Sequence, residues 1–286
     1  MCIRDRFTSY SAFSGVSFVD GYNVSAQETG PREIAFSSDG TKFFVTGYQG
    51  SDVGEYSMST AWDVSTASYT DAFSVSSQTG GAHGLAFNTN GTKMFVMGYG
   101  SDQVHEYALS TGWDVSTASY TDGFDVSSQD TEPRGLAFST DGTKMFISGN
   151  TGNDINEYTL STGFDVSTAS YVDSLDVSSY DTGVRGMAFN DDGTTLFFHG
   201  QQNDKVHSWK LSTGYDISTN TYNGSISLPS FDTGAEAIVF NNDGTKLFVS
   251  GNDDNTIDEY TLTTGFELIL SLIHISEPTR LLSISY

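Results

Sequence analysis

Thiols are almost absent from this chain: among 286 residues the only cysteine is Cys2. That excludes disulfide staples and thiolate-held metal, and it leaves the redox compartment open. Cationic side chains are scarce as well, 12 Lys and Arg against 36 Asp and Glu, for a formal charge of −24. A nucleic-acid partner is not expected on that count, because phosphate recognition needs clustered Lys and Arg. An anionic membrane surface is disfavoured for the same reason. The apolar run Leu268–Ile275 falls far short of the roughly 20 residues that a membrane span requires, so membrane insertion is not expected either. Acidity of this kind suits a self-repelling surface in contact with water. Disorder, the other fate of acidic chains, is contradicted by 20 Phe and 15 Tyr at recurring positions.

What is present is a repeat. The segment Ala137–Gly149 recurs as Ala35–Gly47, Ala86–Gly98, Ala188–Gly200 and Val239–Gly251, each copy offset by 51 residues without insertion or deletion. A fixed period of this length marks a repeat architecture and outranks any local reading. Each unit holds four candidate strands. In the first unit these are Ile34–Phe36, Lys42–Thr46, Val53–Met58 and Ser68–Val75. Asp39-Gly40 and its equivalents Asn90-Gly91, Asp141-Gly142, Asp192-Gly193 and Asp243-Gly244 predict a tight type I′ hairpin between the first two strands. Four short strands per unit, with no helical period, predict an all-β chain: a β-propeller of four-stranded blades. A parallel β-helix is the runner-up, but its coils are about half this length and need no Asp-Gly hairpin.

Ser17–Gln27 matches Ser68–Gln78, so the repeat opens on the last strand of a unit. That strand is expected to close a ring against the last copy, giving five blade equivalents. The ends break the pattern. DNA encoding Met1–Arg6 can be read on its complementary strand as Leu270–Ile275. The pair resembles a transposase end sequence used in preparing DNA libraries, and Ser276–Arg280 resembles the adapter that follows it. Residues 1–6 and 270–286 are therefore expected to be adapter-derived, and 7–269 to be a truncated piece of a longer propeller array of metagenomic origin. Five blades would then be a lower bound for the parent protein.

The hairpin segment Ile34–Gly47, with its apolar strand, Asp39-Gly40 turn and second apolar strand, resembles the YVTN-type and lactonase-like propeller repeats. The resemblance covers about a third of every unit. It departs from the family in having Ser, Thr, Asn or Asp in place of the turn proline, and Gly in place of the closing Asn. The linker from Trp62 to Tyr69 is foreign to the lactonase-like enzymes and similar to long propeller repeats of environmental bacterial and phage proteins. The resemblance implies a propeller fold and does not carry an activity across.

Aromatic registers run through all five units: Phe36, Phe87, Phe138, Phe189 and Phe240, for instance, and Tyr56, Tyr107, Tyr158, Trp209 and Tyr260. Packing between blades explains them better than a stacking platform does. For the loop register Trp62, Trp113, Phe164, Tyr215 and Phe266, core and ligand-facing roles are evenly matched.

One-off chemistry in a repeat protein must break the consensus. The breaks include His83, His199 and His207, none at a recognisable nucleophile–base or metal-ligand spacing, and the shared register of His105 and His207 reads as drift at an exposed edge. Oxygen-rich loops such as Gln49–Asp52 and Asn252–Asn255 lack the spacing of a calcium loop, and tight turns need the same residues. No cofactor is expected; calcium is the one ion these loops could hold.

One register stands apart: Arg32, His83, Arg134, Arg185 and Glu236, just before the first strand of each unit. Setting aside Arg4, Arg6 and Arg280, only nine Lys and Arg belong to the repeat, and three of them sit here. In this fold the first strand lines the channel, so the register should form a ring at the channel mouth. Such a ring could hold an anionic small molecule or glycan; pairing with acids such as Glu33 or Glu132 is the competing explanation. The expected function is a non-enzymatic binding or interaction module, extracellular or virion-associated, with a glycan, an anionic small molecule or a protein as partner. The alternative is a lactonase-like hydrolase with its site around His83, Arg134 and Glu236.

Overall fold

The computed structural model describes residues 15–98, 100–228 and 234–268. The two terminal segments read above as adapter-derived lie outside the described residues. Five antiparallel four-stranded sheets form a ring. Blade one holds β2 (Pro31–Phe36), β3 (Lys42–Gly47), β4 (Asp52–Met58) and β5 (Ala67–Ser74). Blade two holds β6 (Ala82–Phe87), β7 (Lys93–Gly98), β8 (Gln103–Leu109) and β9 (Ala118–Asp125). Blade three holds β10 (Pro133–Phe138), β11 (Lys144–Gly149), β12 (Asp154–Leu160) and β13 (Ala169–Asp176). Blade four holds β14 (Val184–Phe189), β15 (Thr195–Gly200), β16 (Val206–Leu211) and β17 (Asn220–Ile226). Blade five takes β18 (Ala235–Phe240), β19 (Lys246–Gly251) and β20 (Thr256–Leu262) from the end of the repeat, and its fourth strand, β1 (Val16–Asn23), from the beginning. β1 pairs antiparallel with β20, as the sequence match of Ser17–Gln27 predicts.

The ring is closed. Each innermost strand (β2, β6, β10, β14, β18) touches its counterpart on both sides, β18 against β2 included. The apolar side chains gather into five clusters, each shared by two neighbouring blades; one joins Phe43 and Tyr56 of blade one to Phe248 and Ile257 of blade five. This is why middle strands such as β3 are buried along nearly their whole length rather than alternately.

The hairpin turn differs from the predicted type I′. That turn needs positive φ at both central residues. Here Asp39 is not among the positive-φ residues, and only Gly40 is, at +69°. The Gly40 amide donates to Ser37 O, and the Asp39 carboxylate accepts from Thr41 N and from the hydroxyls of Ser37 and Thr41. Asp39 thus caps a turn followed by a left-handed glycine. That glycine is obligatory for a second reason: a Cβ on Gly40 would lie 2.2 Å from the indole of Trp62. The loop aromatic lies over the glycine of its own hairpin, and Trp113, Phe164, Tyr215 and Phe266 repeat the arrangement.

The Asp-Val-Ser-Thr part of the linker is a single 3-10 turn, Val64–Thr66 in blade one, a helical element the sequence did not announce. Asp63 caps it by accepting from Ser65 N, and Val64 is buried in the interblade cluster. A charged latch holds this turn to the preceding blade. Lys42 Nζ donates to Glu55 Oε1 (2.6 Å) and to Trp113 O (2.7 Å), while Glu55 Oε2 accepts from Val115 N (3.1 Å). Lys93 with Glu106, and Lys144 with Glu157, do the same toward blades three and four. Lys246 with Glu259 closes the ring onto Trp62 O and Val64 N. Blade four has Thr195 and Ser208 in those two registers and no such latch.

Removing Lys246 therefore strands the buried Glu259 at the closing seam. Lys246→Met should lower stability by about 2 kcal/mol, less than a fully buried pair would lose because Lys246 is partly solvated. Lys210→Met, in the blade without the latch, should stay within about 0.5 kcal/mol of the parent. Urea denaturation of the two variants checks the contrast, and equal midpoints would remove the latch from the account.

Candidate functional site

Each innermost strand begins with a break in its ladder. Pairing of β2 with β3 skips between Pro31 and Ile34, and the other four blades shift at the same place. Such bulges re-aim side chains out of the sheet. They carry Arg32, His83, Arg134, Arg185 and Glu236, which the structure places within the first strands rather than before them. All five line one small cavity at the start of the innermost strands.

A sixth residue joins them. Glu33 lines the same cavity and is buried. Its register is Gly84, Gly135, Gly186 and Ala237 in the other blades. Glycine is demanded there by crowding: a Cβ on Gly135 would lie 2.5 Å from Arg185 O, and one on Gly186 2.6 Å from the Cα of Ala237. Sequence reasoning treated Glu33 only as a counter-charge for arginine. The readable signal was that it is the single large side chain in a register of minimal ones.

The charges are arranged unevenly. Glu236 Oε1 accepts from Nη1 of both Arg32 and Arg185. Arg134 faces Nδ1 of His83 at 3.2 Å and lies 3.8 Å from Glu132. Because guanidinium can only donate, Nδ1 of His83 must be the accepting nitrogen, with the ring proton on Nε2. Burial, reinforced by Arg134, Arg32 and Arg185, lowers the His83 pKa to about 3, so the imidazole is neutral. Burial also brings Arg185 down to about 10 and pushes the Glu33 carboxyl well above the carboxylate range. Arg32 lies 5.8 Å from the ring centroid of the exposed Tyr48, which forms part of the rim. The cavity itself is about 10 Å³, room for a single water. A larger ligand would have to sit on the mouth, or displace Glu236 from its two arginines.

Other symmetry-breaking residues have structural roles. His105 and His207 are not on an exposed edge but buried, because the third strand is covered on both faces. His105 pairs with Ser101 at 3.2 Å; His207 pairs with Tyr222 at 3.3 Å and stacks on Phe198. His199 reaches Ala235 O of blade five at 2.8 Å, the role Ser148 and Ser250 perform toward their own neighbours. In the oxygen-rich loops Ser51, Asp102, Asn153, Asp204 and Asn255 all have φ near +50°, which accounts for Asn and Asp there without an ion. Among the described residues no group of three or more His, Cys, Asp or Glu is arranged to hold a metal.

Fold and site together define a five-bladed β-propeller with a charged cluster at one channel mouth. No protein-family model and no curated protein matches the chain. Among solved structures it is similar to a candidate 6-phosphogluconolactonase from Bacteroides uniformis ATCC 8492, at 12% identity and a TM-score of 0.51, over 80% of this chain and 65% of that one. It is also similar to a functionally unknown protein from Desulfotomaculum acetoxidans DSM 771 (11% identity, TM-score 0.48, 77% of this chain and 62% of that one). The β-propeller domain of Cps50 (Swd1) from Myceliophteria thermophila matches over 87% of this chain and all of that domain, at 10% identity and a TM-score of 0.49. The chain thus spans less than two thirds of the first two structures, and at these identities the likeness is one of fold.

The neutral imidazole has a consequence for stability. Below pH 6.5 the unfolded chain takes up a proton that folded His83 refuses until about pH 3, so stability falls as pH drops through that window. His83→Gln should remove about 2 kcal/mol of the loss between pH 7 and pH 5. Urea titrations of parent and variant at both pH values measure it; parallel pH slopes would contradict a neutral His83.

Proposed function

We propose that this propeller binds a small anionic sugar derivative, a sugar acid or sugar phosphate, at the mouth formed by Arg32, His83, Arg134, Arg185 and Glu236. The observation that carries the reading is the double pairing of Arg32 and Arg185 on one oxygen of Glu236. The protein's own carboxylate sits where a ligand's carboxylate or phosphate would, and guanidinium forks suit both groups. A third guanidinium, Arg134, lies alongside, facing the neutral ring of His83 at 3.2 Å and Glu132 more distantly at 3.8 Å.

Lactone hydrolysis is the second reading, and it rests on the same ligand chemistry. Its support is the likeness to the candidate 6-phosphogluconolactonase of Bacteroides uniformis, whose named substrate is a phosphorylated sugar lactone. Hydrolysis would need water to add to the lactone carbonyl, the ring C–O bond to break, and the departing ring oxygen to receive a proton. Glu33, whose carboxyl burial pushes toward the protonated form, is the group that could supply that proton and recover one from the attacking water.

Calorimetry with 6-phosphogluconate, gluconate and glucose separates the possibilities. Binding of the two anions is expected, weakened at least tenfold by Arg185→Gln, as loss of a charge-assisted hydrogen bond implies, whereas any response to glucose should not depend on Arg185. Turnover of 6-phosphogluconolactone above its spontaneous rate, abolished by Glu33→Gln, would establish the hydrolase. No binding of either anion would overturn both readings.

A further inference from the structure

The other mouth of the channel has the opposite chemistry. There the hairpins of the innermost strands and the linker loops enclose a depression of about 340 Å³. Phe36, Phe87 and Phe138 form its floor with the loop aromatics Trp62, Trp113 and Phe164. Within a blade the two rings lie together, 5.1 Å between centroids for Phe36 and Trp62 and for Phe87 and Trp113, and 5.5 Å for Phe138 and Phe164. All six rings are half-buried, held by the core beneath and open to the depression above. In a chain with 36 Asp and Glu and 12 Lys and Arg, no charged residue contributes to this lining. Val239 and Phe240 of blade five add apolar surface, and the remainder is hydroxyl and amide. The exposed Ser38 and Thr89 hydroxyls make no hydrogen bond to any described residue, whereas Asn242 is committed to Ser38 O.

We propose that this depression is a second binding site, distinct from the arginine mouth, and that it takes the ring of a neutral sugar. An anion would find no cation here, and a cation would find no carboxylate. Offset aromatic faces suit the C–H face of a pyranose, whose hydroxyl edge would meet Ser38 and Thr89. A purely apolar ligand would cover those hydroxyls without replacing their water, a desolvation loss that a sugar avoids. The volume falls at the lower end of the ~300–1,000 Å³ typical of small-molecule sites. Blade four stands outside the pocket, and its loop aromatic is already satisfied: the Tyr215 hydroxyl lies 2.8 Å from Thr140 Oγ1 and donates to Asp191 O at 3.0 Å. The site is therefore asymmetric, built on blades one, two, three and five.

Trp62 and Trp113 are two of the three tryptophans, and the third, Trp209, is buried in a different cluster. Intrinsic fluorescence consequently reads this site. Titration with glucose, galactose, mannose, maltose and cellobiose should give a saturable change for at least one sugar, with none for gluconate and only a weak response to cyclohexanol. The double variant Ser38→Ala and Thr89→Ala should weaken the responding sugar about tenfold, the size expected for two lost hydrogen bonds. Trp113→Phe, which installs the residue that blade three carries in the same register, should weaken it while keeping the fold. Arg185→Gln should leave it unchanged, so the outcome is independent of the arginine mouth. No saturable response to any of the five sugars, or equal affinity for cyclohexanol, would overturn the proposal.

Discussion

The ring depends on a buried carboxylate whose lysine partner is shared between two blades. Lys42 neutralises Glu55 of its own blade and simultaneously donates to Trp113 O in the linker of the next blade, while Glu55 accepts from Val115 N in the 3-10 turn of that linker. Hydrophobic clusters bring neighbouring blades together, but apolar contact is non-directional. In four of the five blade junctions the latch ties down the docked linker, whose aromatic lies over the hairpin glycine, as Trp113 does on Gly91. A chain of charge −24 has few cations for this task. Within the described residues its Lys and Arg divide between four latches, the three arginines of the mouth, and Lys205 and Lys210. Interior carboxylates lacking a lysine turn to backbone amides instead: Asp130 accepts from Glu132 N and Gly152 N, and Asp181 Oδ1 accepts from Thr182 N and Gln202 N while its Oδ2 faces His207 Nε2 at 3.6 Å.

Much of this was legible in the sequence because the 51-residue period fixes register absolutely. Once Gly40, Gly91 and Gly142 align, a strand located in one unit is located in all, and the orphan β1 announces its own partner. The details that were misread share a cause: they depend on contacts between units. The turn looks like type I′ from its Asp-Gly pair, but the Asp39 side chain supplies the acceptor that holds Asp39 out of positive φ. His105 looks like an edge residue because strands normally alternate, yet the third strand is buried on both faces by flanking blades. The latch was invisible for the same reason. Lys42 and Trp113 are 71 positions apart, a distance that no local pattern connects.

At the mouth, position was readable and chemistry only partly so. Five residues in one register must converge if the first strand lines a closed ring, whatever their side chains. What register alone does not supply is their ionisation. Five arginines would repel one another at close range in a poorly hydrated site. The departures from consensus relieve that repulsion in two ways: Glu236 brings a negative charge that two arginines share, and His83 brings a ring that burial and the arginines keep uncharged. Burial pushes the Glu33 carboxyl toward its neutral form, so it adds a polar group to the cluster with little added charge. The cluster therefore keeps a net positive charge while remaining packable.

The two mouths differ because the same strand presents different things at its two ends. At its start, the β-bulge frees a long side chain from the ladder, and each blade can vary that side chain without disturbing the sheet. At its end, Phe36 and its equivalents are fixed by contact with the neighbouring blade, Phe36 on Phe248 and Phe87 on Phe44, so variation there would cost the core. Charge and asymmetry accordingly collect at the bulged end, and a near-uniform aromatic floor at the hairpin end. The breaks at Glu33, His83 and Glu236 thus fall where the bulge lets a side chain vary without disturbing the core.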